Sequence, residues 1–466
     1  MPTTARQPRV GLLPFYIELY DRSTPEMRPR IDAFAAQIAD ALTARGTQVV
    51  SAPVCRLAAE FSAAVAQLEQ AQVDCIVTLH LAYSPSLESI DALAATPLPL
   101  IVLDTTETFR FNHPREILYN HGIHGVMDFC NLLHQRNKPF AIAAGHWEAS
   151  PVLDRVVAMA RAAMAAGALR GLRVARLGGS FAGMGDFAVE PAALKARFGL
   201  EAINLDGASL AACRAAVSDE EVAAEVAADL AGGVLLNGDI DPVVHARSAR
   251  DCLALRHCLA QNDVGAFTVN FTQIVHGCGL ETMPFMEACR GMARGLGYAG
   301  EGDILTAAFC GAMMQGFPST SFIEIFCPDW AENRLMLSHM GEMNYALADG
   351  APELTELNFV YGDAKNPVVG YTRLRAGQAV FANVYPDGRD FGLLLAPVTM
   401  EAPAGEDCFV GNMRGWMRPA LPLPRFLEGL SEAGATHHSL LVYDAPIDAL
   451  AYFGRLCGMS VTVLQN

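Results

Sequence analysis

RVGLLPF (Arg9–Phe15) is a short apolar run that predicts a buried strand, and RIDAFAAQIADALTAR (residues 30–45) follows it with the period of a helix. The apolar positions of that helix are Ile31, Phe34, Ile38 and Leu42. The next segment, TQVVSAPV (residues 47–54), is rich in β-branched residues and predicts a second strand. Strands that alternate with helices predict a parallel sheet covered by helices on both faces.

A second α/β unit is predicted from Gly171 onward. Residues 172–177 have the composition of a strand and lead into GGSFAGMGD (residues 178–186), after which helical patterns return. The overall pattern here is again that of a doubly wound, Rossmann-like parallel sheet.

The last part of the chain changes character. Residues 360–371, 379–384 and 392–398 are predicted strands, and the turn signal Pro-Asp-Gly lies at residues 386–388. This pattern indicates an antiparallel, barrel-like β domain. The sequence therefore predicts an α/β protein with two doubly wound domains and a C-terminal β domain, divided as residues 1–170, 171–316 and 317–466.

Composition excludes several classes of protein. The chain has 466 residues and a formal net charge of −17, and it lacks the clustered Lys and Arg that nucleic-acid binding requires. No apolar run approaches the roughly 20 residues of a membrane span. The N-terminus has no signal-peptide pattern, and the 12 cysteines are scattered singly, as in reduced cytoplasmic proteins. We therefore expect a cytoplasmic protein with no nucleic-acid or membrane partner.

The familiar motifs of nucleotide binding and of nucleophilic catalysis are not matched. The glycine-rich loop at residues 178–186 follows a predicted strand, but its spacing fits neither GxGxxG nor a Walker loop. A tight turn that lines a cleft is therefore favoured over a nucleotide site. The chain also has no GxSxG elbow, and no cysteine has the flanking signature of a thiol enzyme.

Four sites combine carboxylates or imidazoles with unusual local sequence. Glu301 lies in YAGEGD, where a turn enters a helix, and Glu324 interrupts the apolar strand STSFIEIF. A carboxylate in such a strand is costly to bury unless it is paired or binds a metal. His339 lies in LSHMGE, and His437 and His438 precede another apolar strand. Each residue alone has an ordinary structural explanation, such as a helix-dipole partner or a hydrogen-bonded core histidine.

Taken in order, these motifs resemble those of the L-arabinose isomerases, within the L-fucose isomerase-like superfamily. The resemblance rests on AGEGD, TSFIE, SHM and THH, and it spans nearly the whole chain. Further blocks in the same order are HGVMDFCNLL (residues 124–133), AAGHWEAS (143–150), ARFGLEAINLD (196–206) and GAFTVNF (265–271).

The resemblance implies a divalent-metal centre. Its ligands would be Glu301, Glu324, His339 and His438, with His437 as the alternative to His438 because adjacent histidines leave the register open. Two carboxylates and two neutral imidazoles suit Mn²⁺, Co²⁺ or Mg²⁺ in six-coordination. The family usually uses Mn²⁺. Four protein ligands would leave two positions for a sugar.

The implied reaction is the interconversion of an aldose and a ketose through a cis-enediol. Glu301 and Glu324 would be the general base and acid, in an order that the sequence leaves open. Two other outcomes remain open at this point: a metal-dependent epimerase or lyase that uses a related enediol, and a sugar-binding homologue without turnover.

The sugar-contacting loops diverge from the family. Here LLPFYIELYD replaces a GSQ-type motif, and NLLHQRNKP places His134 where the family has Gln. The metal centre is therefore expected to be retained and the substrate to differ from L-arabinose. An unphosphorylated sugar is favoured because no Arg/Lys cluster lies near the motifs. The predicted substrate-binding residues are Tyr16, Tyr83, His134, Phe181, Phe271 and His437.

The resemblance also implies an assembly. Members of the family are homo-oligomers whose active sites lie between neighbouring subunits, so we expect a trimer-based hexamer or a tetramer.

Overall fold

The computed structural model describes residues 6–403 and 405–465, which form two compact units. One unit comprises Arg6–Gly167 and a later segment, Asp448–Gly458. The other comprises Ala168–Ile447 and the residues from Met459 onward. The predicted division of the chain at residues 170 and 316 remains a prediction.

The first unit contains a five-stranded parallel sheet. Its strands are β1 (Arg9–Phe15), β2 (Gln48–Ser51), β3 (Cys75–His80), β4 (Leu100–Asp104) and β5 (Phe140–Ala144). The helices between and after them are α1 (Glu18–Ser23), α2 (Arg28–Thr43), α3 (Ala58–Gln70), α4 (Ile90–Ala95), α5 (Ile123–Gln135) and α6 (Val152–Leu169).

The strand order of this sheet is β2-β1-β3-β4-β5. The chain thus steps to one side of β1 and then to the other, which places right-handed crossover helices on both faces. Strand β3 is buried along its whole length, as a central parallel strand should be. Helix α2 buries all four of the apolar residues that gave it its predicted period, so this prediction is confirmed.

The second unit opens with another parallel sheet. Its first strands are β6 (Arg173–Leu177), β7 (Glu201–Leu205), β8 (Val234–Leu235), β9 (Ala266–Val269) and β10 (Gly297–Gly300). The helices here are α7 (Pro191–Phe198), α8 (Gly207–Ala216), α9 (Asp219–Gly232), α10 (Pro242–Gln261), α11 (Phe285–Ala293) and α12 (Ile304–Gly316). Four strands pair in the order β10-β9-β6-β7, all parallel, while β8 pairs elsewhere. The predicted second Rossmann-like sheet is confirmed.

The rest of this unit is mostly antiparallel. The strands are β11 (Thr320–Asp329), β12 (Arg334–Ser338), β13 (Glu353–Glu356), β14 (Val368–Tyr371), β15 (Gly377–Pro386), β16 (Phe391–Glu401), β17 (Gly415–Pro419), β18 (His438–Tyr443) and β19 (Ser460–Val463). The remaining helices are α13 (Leu423–Ala433) and α14 (Ile447–Leu456), of which α14 lies almost entirely in the first unit.

Six of these strands close a barrel. They pair in the order β15-β18-β11-β12-β17-β16, and β16 pairs back onto β15, so no edge is left between them. Strand β19 joins β16 in parallel, and β13, β14 and β8 form a separate small sheet. The predicted barrel-like β domain is confirmed.

One predicted strand was too long. The structure has strand only at Val368–Tyr371, whereas residues 361–363 form a bend and Lys365 makes only an isolated β-bridge. The segment YGDAKNP carries Gly, Asp, Asn and Pro, which favour turns over an extended ladder. The Pro-Asp-Gly turn, by contrast, does join β15 to β16, with Gly388 at φ +82°.

Within residues 6–403 and 405–465, no helix combines the length and the apolar character that crossing a bilayer demands.

Candidate metal and sugar site

Glu301 stands at the carboxyl end of strand β10, where ligands gather in parallel sheets. Its backbone is left-handed, with φ +65°, and its amide donates to the carbonyl of Val269 on the neighbouring strand. A non-glycine residue in this conformation is strained, and such strain concentrates at functional sites. Asp303, two residues on, accepts a hydrogen bond from Thr306 N at 2.9 Å and so caps helix α12.

Barrel register brings the next candidates together. Glu324 on β11 is paired with His438 on β18 and with Ser338 on β12, and His339 directly follows Ser338. Nε2 of His339 lies 3.8 Å from Oε2 of Glu324. Cross-strand neighbours lie close enough for their side chains to act on one ligand.

Glu301, at the end of the parallel sheet, lies close to the histidines of the barrel. Ligand atoms of Glu301, His437 and His438 all lie within 4.8 Å of one another. A Cβ added to Gly300 would come within 3.1 Å of His339 Nε2, so this ring lies against the residue before Glu301. The structure thus groups the ligand atoms of Glu301, His437 and His438, and it places the predicted ligands His339 and Glu324 beside this group but outside it.

Each of the three histidines is held by a carboxylate through Nδ1. The pairs are His339 with Glu342 at 2.6 Å, His438 with Asp303 at 3.0 Å and His437 with Asp186 at 2.6 Å. A carboxylate can only accept, so Nδ1 of each ring carries a proton, and Nε2 is the nitrogen that faces away from the carboxylate. Carboxylates orient metal-binding histidines in this way in many proteins.

Sequence reasoning missed the three carboxylates. Glu342 and Asp303 lie inside the quoted motifs LSHMGE and YAGEGD, so their closeness to a candidate ligand was a usable signal. Asp186 is 251 positions from His437, and no local pattern could have connected the two.

The electrostatics of the site favour a cation. Burial raises the pKa of Glu301, although His339 and His438 partly oppose this. Burial alone would lower the pKa of His339, but the carboxylates of Glu342, Glu324 and Glu301 raise it to about 9. Burial would also raise the pKa of Glu342, yet His339 and two further hydrogen bonds hold it below its usual value. The carboxylates therefore favour positive charge at this point.

Two buried atoms point to a missing ligand. Oε2 of Glu301 and Nε2 of His438 are both buried and have no hydrogen-bond partner among the described residues. An orphaned buried acceptor is costly, so a native site normally satisfies it. A divalent cation bound by carboxylate oxygen and imidazole nitrogen would satisfy both atoms, so the residues present fit such an ion.

Comparison with known proteins gives the family. A family model of the L-arabinose isomerase central domain matches residues 173–316, and one of the L-arabinose isomerase C-terminal domain matches residues 319–460. Together the two matches cover more than half of the chain. The chain belongs to the L-arabinose isomerase family.

Curated relatives agree over almost the full length of the chain. The L-arabinose isomerase of Nocardioides sp. is 28% identical, over 95% of this chain and 91% of the relative. That of Erwinia tasmaniensis is 26% identical, over 94% of this chain and 90% of the relative. The L-arabinose isomerase of Enterobacter sp. is 27% identical, over 84% of this chain and 80% of the relative. The prediction that this chain is an aldose–ketose isomerase, an intramolecular oxidoreductase, is confirmed by this membership.

The other predicted sugar contacts fall in two places. In the second unit, Phe181 and Phe271 face each other with ring centroids 5.3 Å apart. In the first unit, Tyr16 is fully buried with an unpartnered hydroxyl, and burial raises its pKa to about 12. Tyr83 there lies beside two histidine rings, and His134 is exposed on the last turn of α5. Their role in sugar binding remains a prediction.

In this member of the L-arabinose isomerase family, Gly300 is expected to be essential for placing His339. A Cβ at residue 300 would lie 2.9 Å from Cε1 of a ring that is itself tied to Glu342. Gly300→Ala should therefore lower the free energy of unfolding by about 1–3 kcal/mol, as overpacking does. It should also weaken Mn²⁺ binding.

Urea denaturation and Mn²⁺ titration measure both effects. Gly232→Ala is the matched control, because nothing lies within 4 Å of its added Cβ. Equal stability and equal Mn²⁺ affinity of the Gly300→Ala and control proteins would contradict this placement of His339.

Proposed function

We propose that this protein is a divalent-cation-dependent aldose–ketose isomerase that acts on an unphosphorylated sugar through a cis-enediol. The observation that carries the proposal is the pair of buried, unpartnered ligand atoms, Glu301 Oε2 and His438 Nε2, in a cluster of carboxylates and imidazoles. Family membership supports the isomerase class.

Glu301, Glu324, His339 and His438 would hold the cation. Mixed oxygen and nitrogen donors without a thiolate favour Mn²⁺, Co²⁺ or Mg²⁺ over structural zinc. The ion, when bound, would supply Lewis-acid polarisation of the sugar carbonyl and stabilise negative charge. Glu342 and Asp303 would fix the two rings so that Nε2 of each is available.

The proton transfers fall to the two glutamates. One carboxylate removes the proton from the carbon next to the carbonyl, and the cis-enediol forms as the carbonyl oxygen gains a proton. Return of a proton to the former carbonyl carbon, with loss of the hydroxyl proton from the neighbouring carbon as its C=O forms, completes the change from aldose to ketose.

The sugar itself is expected to be recognised by the aromatic pair Phe181 and Phe271 and by His437. Hydrogen-bond donors and acceptors around the hydroxyls decide which sugar is preferred. The relatives are named for L-arabinose. We propose that this chain prefers another aldose, because its sequence departs from the family at Tyr16 and His134. The intersubunit active sites and the cytoplasmic location remain predictions.

The test is an assay of chelator-treated protein, with and without Mn²⁺, against a panel of free aldoses and ketoses. We expect Mn²⁺-dependent conversion of one aldose into its ketose, identified by chromatography and NMR. An epimer or a cleavage product would replace the proposal by the epimerase or lyase alternative. Binding without conversion of any sugar would identify a non-catalytic homologue.

A further inference from the structure

The glycine-rich loop at residues 178–186 is tied to the site at both ends. At its start, Phe181 N donates to the carbonyl of Glu301 at 2.8 Å, and Ser180 Oγ donates to the carbonyl of Gly302 at 3.2 Å. The approach is so close that a Cβ on Gly302 would lie 2.1 Å from the carbonyl oxygen of Gly179. The loop is therefore fixed against the turn that carries Glu301.

At the other end of the loop, one carboxylate oxygen holds His437 twice. Oδ2 of Asp186 accepts from the backbone N–H of His437 at 2.9 Å and from its ring Nδ1 at 2.6 Å. The next residue, Phe187, stacks on the ring of His438 with centroids 4.9 Å apart and planes 7° apart. Asp186, the last residue of the loop, thus holds His437, and Phe187, which follows the loop, packs on His438.

The double hydrogen bond sets the tautomer of His437. Because an aspartate carboxylate only accepts, the ring proton stands on Nδ1 and Nε2 offers a lone pair. The His437 side chain is 28% exposed, whereas His438 is fully buried. Of the two adjacent rings, that of His437 is therefore the one that solvent reaches.

We propose that Asp186 is a positioning residue that fixes the orientation and tautomer of His437, so that Nε2 accepts a hydrogen bond from a hydroxyl of the sugar. This inference rests on the proposed isomerase function for the identity of the ligand. The arrangement of Asp186 and His437 itself does not depend on it.

The variants Asp186→Asn and Asp186→Ala test this role. Asparagine keeps the size of the side chain, and its Oδ1 can replace Oδ2 as the acceptor for both N–H groups of His437, so it should keep the tautomer. Alanine removes the acceptor and lets the ring shift toward the form with the proton on Nε2. Asp206→Ala is the matched control. Asp206 also accepts a backbone and a side-chain hydrogen bond, from Ser209, but it caps helix α8 instead of holding a histidine.

The first readout is ¹⁵N NMR of ring-labelled histidines in cation-free protein, with the His437 signals assigned by their loss in His437→Gln. We expect Nδ1 to be protonated in the parent and in Asp186→Asn, a shift toward protonated Nε2 in Asp186→Ala, and no change in Asp206→Ala. This readout works even if the protein isomerises no sugar, so it separates the role of Asp186 from the proposed function.

The second readout is kcat/KM on the sugar that the panel assay identifies. Asp186→Ala should lose about 10–100-fold, the usual effect of removing an orienting partner, and Asp186→Asn should lose less. The Asp206→Ala protein should stay within twofold of the parent. An unchanged His437 tautomer in Asp186→Ala, or a loss in that variant no larger than that of Asp206→Ala, would overturn the proposal.

Discussion

Glu301→Gln and Glu324→Gln are each expected to lower kcat by about 10²–10⁴-fold, the usual contribution of general acid–base catalysis. Glutamine keeps the size of glutamate and one oxygen that can coordinate a cation, but it neither takes up nor releases a proton at working pH. The fold should be retained, because Glu301 lies in a turn fixed by backbone contacts and Glu324 is 19% exposed. Steady-state kinetics with saturating Mn²⁺ measures the loss.

A second effect must be separated from this one. Both glutamates are proposed cation ligands, so Mn²⁺ affinity has to be measured alongside by the signal of free Mn²⁺ in electron paramagnetic resonance. Glu332→Gln provides a control, since Glu332 is exposed in the turn between β11 and β12. Because the two glutamates act on one proton transfer, the double variant should be little worse than the poorer single variant. Turnover within about tenfold of the parent in both single variants would exclude the acid–base role.

The layered parts of the fold were predictable because burial leaves a simple pattern. Central parallel strands are covered on both faces and read as apolar runs, as Cys75–His80 does. Strand order, barrel closure and the placement of helix α14 in the first unit depend on contacts between distant segments. Short-range periodicity carries no information on such contacts. Local composition can also mislead: residues 360–367 begin with apolar Val360 and Tyr361, but the turn residues that follow prevent a strand.

The candidate site was predictable to a different depth. The motifs around Glu301, Glu324, His339 and His438 were visible because charged or imidazole groups interrupt apolar sequence. The sequence did not show that these residues form one site, because that depends on the strand register that pairs Glu324 with both His438 and Ser338. The carboxylate that holds His437 lies in a loop whose glycines suggested only a turn. The resemblance to a family identified the candidate ligands, whereas only the structure revealed the carboxylates that hold the histidines.

Binding of Mn²⁺ is expected to stabilise the folded protein, and the gain should depend on His438. An ion that binds only the native state raises the free energy of unfolding by about 2.7 kcal/mol at a hundred times its Kd. The physical reason is the release of the cost that the unpartnered Nε2 of His438 and Oε2 of Glu301 impose on the cation-free fold. Urea denaturation of chelator-treated protein at several Mn²⁺ concentrations measures the gain.

In His438→Gln the same gain should be lost. Asp303 is fully buried and would lose its partner if the imidazole of His438 were simply removed. The amide of glutamine can still donate a hydrogen bond to Asp303, so the variant is expected to fold. His276→Gln is the control, because His276 is exposed and pairs only with Asp363 among the described residues. This control should keep the full Mn²⁺ dependence of the parent. Equal stabilisation of His438→Gln and the parent would mean that His438 is not a ligand of the ion, which His437 or a different site would then bind.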